Sequence, residues 1–274
     1  MQRSRDFVSL VGSPLVVCVS VALAVAARPA AAQPAAQTTA AQSASRTAQS
    51  SPQGDTLESI AKLPDWAGIW EVTFGGGPRG ARPEPPALTP AYDAKLKEYQ
   101  DAQKRGEIQD TPAANCVPNG MPGIMTQPYP MEILFTPGKV TIMIEAYSQW
   151  RQIFTDGRKH PEDPDLTFNG HSIGHWEGDT LVVDTVGFTT DTALAGFGVR
   201  HSDKMHIVER MHVVEGDKLQ IETTITDPEA LAKPFTSTRV YGRHRDWTLA
   251  EYVCQQNNRN YTTDDGKAGI NLKH

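Results

Sequence analysis

Motifs that mark common cofactor and metal enzymes are missing from this chain. It has no GxxxxGK[ST] and no GxGxxG set between a strand and a helix, and GGGPRG at 75–80 runs on into proline-rich sequence. A nucleotide cofactor therefore has no cradle, and no cofactor of any kind is expected. HExxH, CxxC and DxDxDG are also absent, which removes the usual zinc, redox and calcium frames. There are only 3 cysteines. Basic charge is in short supply, with 26 Lys and Arg against 32 Asp and Glu and a net charge of −6, so nothing attracts a nucleic acid. The longest apolar run, Leu15–Ala27, is too short to span a bilayer.

That run follows Arg3 and Arg5 and ends before Ala30, Ala31 and Ala32, the layout of a cleaved secretory signal. Residues 1–32 are read as that signal, and the mature protein is expected in the periplasm or medium with no membrane attachment. Residues 33–56, rich in Ala, Gln, Ser and Thr without an apolar period, read as a disordered leader. Residues 57–274 then form a single domain. In an oxidising compartment Cys116 and Cys254 are expected to pair; two separate buried thiols are the other arrangement. Oligomeric state is not legible.

The body reads almost wholly as strands. DWAGIWEVTF alternates, and KVTIMIEAY, WRQIFTDG, GHSIGHW, DTLVVDTVGF, MHIVERMHVV, DKLQIETTIT, STRVYGR and WTLAEYVC follow at short intervals. One helix, 91–107, and a long proline-rich connection over 108–131 interrupt them. Eight or nine strands at this spacing suggest an antiparallel barrel or sandwich, and an all-β, antiparallel up-and-down barrel is the expectation.

HWEGDTLVVDT and VVEGDKLQIET share a Glu-Gly-Asp turn, 38 residues apart. In the second hairpin the apolar residues of both arms are odd-numbered, which a three-residue loop permits. The same register carried to the first hairpin turns Leu181, Val183, Ile173, His171 and His175 inward and leaves Asp184 outside as a solvated residue. Glu209 interrupts an inward apolar row, and alternation in WTLAEYV places Glu251 inward as well.

A carboxylate on an apolar face must be paired or protonated, and a carboxyl group so raised can act as a general acid or base. His171, Glu209 and Glu251 are therefore the candidate catalytic set, with a structural salt bridge to an arginine as the alternative. Arg151, Asp156, His160, His201 and His206, around turns and strand ends, are candidates for holding a substrate. His171 and His175 lie too far apart along a strand to share a metal ion, and no metal is expected. A metal-dependent enzyme using the same side chains stays an alternative.

Gly68–Trp70 resembles the G-x-W start of lipocalin-type barrels. The blocks PYPMEILFTPGKVTIMIE, TDGRKHP, NGHSIGHWEGDTLVVDTVGF, HSDKMHIVER, TITDPEALAKPF and EYVCQQNN together resemble a family of exported bacterial hypothetical proteins. The likeness spans about Cys116 to Asn258 and brings no reaction with it. It implies that the polar blocks around His160, His171, His201 and Glu209 form one constellation. The resulting expectation is a lipocalin-like barrel that binds a small, partly apolar or aromatic molecule. It would act on that molecule by cofactor-free acid/base chemistry of lyase, isomerase, cyclase or hydrolase type. A non-enzymatic carrier of the same fold is the rival.

Overall fold

The computed structural model describes residues 53–73, 84–105, 107, 116–194, 198–215, 217–254, 260–262 and 268–270. The expected signal at 1–32 and most of the leader lie outside the described residues. Nine strands close a barrel: β1 (Ile69–Val72), β2 (Met131–Thr136), β3 (Lys139–Ile144), β4 (Gln149–Phe154), β5 (His171–Glu177), β6 (Thr180–Val186), β9 (His206–Val214), β10 (Lys218–Thr226) and β11 (Phe235–His244). The short pairs β7 (Ala193–Leu194) with β8 (Val199–Arg200) and β12 (Asn260–Thr262) with β13 (Ala268–Ile270) stand apart from it. Helix α1 (Leu57–Ile60) is capped by Thr56, and α2 (Pro90–Lys104) begins with proline in its first turn. No described helix is long and apolar enough to cross a membrane.

Going round the barrel, the order is β1, β11, β10, β9, β6, β5, β4, β3, β2. Every neighbouring pair is antiparallel except β4 and β5, which run parallel and pair only through Ile153 with Ser172 and Phe154 with Ile173. A parallel pair needs a crossover between its strands. Residues 155–170 supply it by folding back over the outer surface. Two backbone bonds pin this crossover: Thr167 N donates to Gly187 O at 3.0 Å, and Met121 N donates to Phe168 O at 2.8 Å.

The interior is filled by the inward residues of these strands and by an added plug. Trp70, Ile142, Ile153, Leu181, Val183, Ile207, Met211, Leu219 and Ile221 are buried together with Met121, Ile124 and Met125 from the segment before β2. Ile124 and Met125 sit on a 3₁₀ turn, Gly123–Thr126, where the sequence suggested an irregular connection. The Tyr241 hydroxyl donates to Met125 O and fixes the turn against β11. Among the described residues, Met125, Glu209, Ile221 and Tyr241 border a small interior cavity of about 30 Å³.

Next to the domain start expected at 57, Gly54 is buried and its carbonyl accepts from Gly138 N at 3.0 Å. Two expectations about the body need correction. WTLAEYVC is not a strand. It runs over the outside as a loop, held where Ala250 N donates to a Glu145 carboxylate oxygen at 2.8 Å and where Tyr252 packs on Tyr147 and Tyr129. Cys254 at its end is bonded to Cys116, the pairing expected, and this tether draws the segment away from the sheet.

The other is register. The second hairpin has the expected three-residue loop, with Val214 opposite Lys218 and all its inward residues odd. The first, with the same Glu-Gly-Asp letters, turns in two residues: Glu177 pairs with Thr180, and Gly178 takes φ +61°. A loop shorter by one reverses the parity of one arm. On β6 the odd residues still face inward, while on β5 Ser172, Gly174 and Trp176 face inward and His171, Ile173 and His175 face outward.

Candidate functional site

The parity reversal puts His171 on the same outer face as Asp184, and a hydrogen-bonded chain joins them. His171 Nδ1 lies 2.8 Å from His160 Nδ1, and His160 Nε2 lies 2.9 Å from Asp184 Oδ1. A third histidine, His206 on β9, places its Nε2 2.8 Å from the same Asp184 oxygen. Each member arrives by a different route: His171 opens β5, Asp184 lies on β6, His206 starts β9, and the crossover carries His160 back over them. Strand pairing explains the meeting on the sheet, because Asp184 faces Val208, two residues from His206 and on its outer side.

Gly170 sets the direction of His171. Its φ is +67°, and a Cβ there would come within 2.7 Å of the Phe188 ring and 2.8 Å of both Thr185 Cγ2 and Val186 O. Only glycine fits that conformation against that wall. The imidazole of His171 then stacks on Phe154, centroids 5.5 Å apart and planes at 28°, and the Arg158 guanidinium covers the Phe154 ring at 3.9 Å. Arg158 is itself neutralised by Asp156 across the turn, Nε to Oδ1 at 2.9 Å.

Hydrogen-bond logic assigns the tautomers. A carboxylate accepts only, so His160 and His206 both carry hydrogen on Nε2. With His160 neutral its Nδ1 is a lone pair, so His171 donates from Nδ1 and keeps a lone pair on Nε2. Partial burial holds the His171 pKa below the ordinary imidazole value, and the neighbouring His160 and Arg158 push it the same way. His171 is thus a neutral base at pH 7, oriented by an imidazole that is in turn oriented by a carboxylate.

Beside it lies a cleft of about 520 Å³. Trp150, Gln152 and Phe154, the outward residues of β4, form one wall, and Pro161, Pro164 and Phe168 of the crossover form the other. Asn169, Asp165 and His171 close it. The space exists because β4 and β5 share so short a pairing, and its volume suits a small organic molecule.

On the opposite side of the same strands is a second polar cluster. Arg151 and Glu209, each 1% exposed, form an ion pair inside the barrel. Arg151 also donates from Nε to Ser172 Oγ at 3.2 Å and from Nη2 to Thr185 Oγ1 at 2.9 Å, while Nη1 has no partner. Ser172 and Thr185 follow His171 and Asp184 in sequence, so strand alternation sets the two clusters back to back.

The sequence candidates therefore divide. His160, His171 and His206 come together, around an aspartate read as merely solvated. Glu209 is inward as expected and pairs with Arg151 inside the barrel. Glu251 is exposed on the outer loop and joins neither cluster, and the set His171, Glu209 and Glu251 does not converge. His201 is buried elsewhere, 2.7 Å from Thr192 Oγ1 and 2.8 Å from Ser202 O. Asp156 serves Arg158. His175 faces out beside Glu177 at 3.2 Å.

Asp184 was detectable in sequence through the outward row of β9, where His206 is the neighbour a paired strand would bring. Gly170–Gly174 also fits G-x-S-x-G by its letters. The fit is formal, since Ser172 lies within β5 with its hydroxyl buried between Arg151 and Thr185. Among the described residues no three His, Cys, Asp or Glu side chains are arranged to hold a metal ion.

No family model matches the chain, and no curated protein matches it. Among solved structures it is similar to the crystal structure of the wild-type fluorescent protein UnaG. That match has 15% identity over 65% of this chain and 97% of the other, at a TM-score of 0.30. Two single-substitution variants of UnaG match at 14% identity over 65% of this chain, covering 95% and 96% of theirs, with TM-scores of 0.29 and 0.30. The barrel assignment stands on this chain's own strand pairing, and the likeness carries nothing about a ligand.

Proposed function

We propose that the cleft beside His171 binds a small, partly apolar or aromatic molecule and that His171 exchanges a proton with it without a cofactor. The observation that carries this reading is the Asp184–His160–His171 chain ending at the cleft. Nε2 of His171 takes a proton from a substrate C–H, and the electron pair left behind moves into the substrate's own conjugated system. The charge on the new imidazolium faces the His160 lone pair, and Asp184 holds His160 in the tautomer that offers it. Return of the proton to a different substrate atom is an isomerisation or cyclisation; loss of a leaving group instead is an elimination. A positioned imidazole contributes about 10²–10⁴-fold to such a step.

An exported location belongs to the same proposal. The signal-like start and the Cys116–Cys254 bond support it, since such bonds persist in oxidising compartments.

The test uses 2-tetralone, an uncharged bicyclic ketone with an acidic benzylic C–H, incubated with the protein in D₂O at neutral pH. Proton NMR should show loss of the C1 hydrogens faster than in buffer, with the acceleration abolished in His171→Ala and reduced in Asp184→Asn. Binding of 2-tetralone in the cleft without any accelerated exchange would overturn the proton-transfer reading and leave a binding protein.

A further inference from the structure

The lining of the cleft narrows what can occupy it. Its two long walls are aromatic or proline surfaces, with Trp150 59% exposed on one and Phe168 on the other. A space of about 520 Å³ between such walls suits a flat, fused or substituted ring. Molecules of that shape come as anions, cations and neutral species, and the charges around the cleft choose among them.

Among the described residues that line the cleft, none presents a free cation to it. The lining includes Arg151, but its guanidinium is inside the barrel on Glu209. Arg158 beyond Phe154 is held by Asp156. On the crossover, Lys159 is outnumbered by Glu162, Asp163 and Asp165, of which Asp165 lines the cleft. Asp184 adds a further carboxylate behind His160. An anionic ligand would lose its hydration there without gaining a partner.

Two acceptors beside the cleft are unused, and the Gln152 amide and Thr167 hydroxyl are neutral polar groups that share its lining. Asn169, which lines the cleft, gives its amide N–H to Trp150 O at 3.2 Å, and its buried Oδ1 has no partner. His171 keeps a lone pair on Nε2. A complementary ligand supplies donors, which for a flat aromatic means hydroxyl groups.

We infer that the cleft selects uncharged hydroxylated aromatics of the phenol or naphthol class and rejects aromatic carboxylates, which would exchange the ring hydroxyl for an anion. This rests on the proposed site, but it concerns recognition only and can fail by itself. Isothermal titration calorimetry at neutral pH, with 2-naphthol and 2-naphthoate as probes, tests it. The expected result is 2-naphthol bound at least about tenfold more tightly than 2-naphthoate. Trp150→Ala should weaken 2-naphthol, and Asp165→Lys should raise 2-naphthoate toward it. Both substitutions lie at the surface, and an unchanged melting temperature verifies the fold of each variant.

Equal or tighter binding of 2-naphthoate would overturn the inference, as would 2-naphthol binding indifferent to Trp150. Neither result touches the proton-transfer reading, which is judged by exchange of 2-tetralone hydrogens. Conversely, selective 2-naphthol binding without exchange leaves the recognition standing and removes the catalysis.

Discussion

Replacing Glu209 by leucine would strand the most deeply buried charge in the barrel. Arg151 would keep two hydroxyl acceptors, Ser172 at 3.2 Å and Thr185 at 2.9 Å, and lose its only carboxylate, with Nη1 already unpartnered. At 1% exposure neither side chain can turn to solvent without opening the sheet. Removing one partner of such a pair costs about 3–5 kcal/mol, a large part of the 5–15 kcal/mol that holds a typical domain. The double change Arg151→Met with Glu209→Leu removes both charges and keeps the volume nearly filled. It should return to within about 1 kcal/mol of the parent, or exceed it. Urea unfolding at pH 7, followed by tryptophan fluorescence with the Cys116–Cys254 bond intact, gives all four corners of the cycle. A single substitution costing under about 1 kcal/mol, or a double no better than the single, would refute a desolvated pair.

Three further outcomes follow from the same geometry. Reducing Cys116–Cys254, which closes a 138-residue separation, should cost about 3–5 kcal/mol on the chain-entropy account, read as a lower urea midpoint. Gly170→Ala should destabilise by about 1–3 kcal/mol, since the residue is at φ +67° against Phe188 and Val186; it should also disturb the His171–His160 contact, visible as shifted imidazole resonances. Burial lowers the pKa of His201, so the folded state binds its proton less readily than the unfolded chain does. The stability it supports is complete above about pH 6.5 and is lost as pH falls through its lowered folded value. Melting temperatures between pH 7.5 and 5.5 should therefore fall less steeply in His201→Gln than in the parent.

The barrel was legible because strand periodicity is written residue by residue. The inward row of β9 and β10 and the buried Glu209 emerged from alternation alone. His171 was misplaced for a reason that alternation cannot supply: two turns with the same letters, Glu-Gly-Asp, close in two residues in one hairpin and three in the other. The facing of β5 depends on that difference, and only the packing of Trp176 against Trp66 and Phe135 marks it. Glu251 was misread because WTLAEYV has a strand's pattern but is held outside by Glu145 and the disulfide. The cluster itself needs the 155–170 crossover to carry His160 over β5 and β6, a long-range contact that no local pattern encodes.

The most direct measurement is ¹⁵N-resolved NMR of the histidine rings across neutral to mildly acid pH. The account requires His160 and His206 to carry hydrogen on Nε2 while His171 is protonated on Nδ1, bare on Nε2, and titrates below an ordinary imidazole. In Asp184→Asn the His160 assignment should become mixed and the His171 pattern should go with it. A hydrogen found on His171 Nε2 in the neutral protein would contradict the account, because the cleft would then face a donor in place of a base.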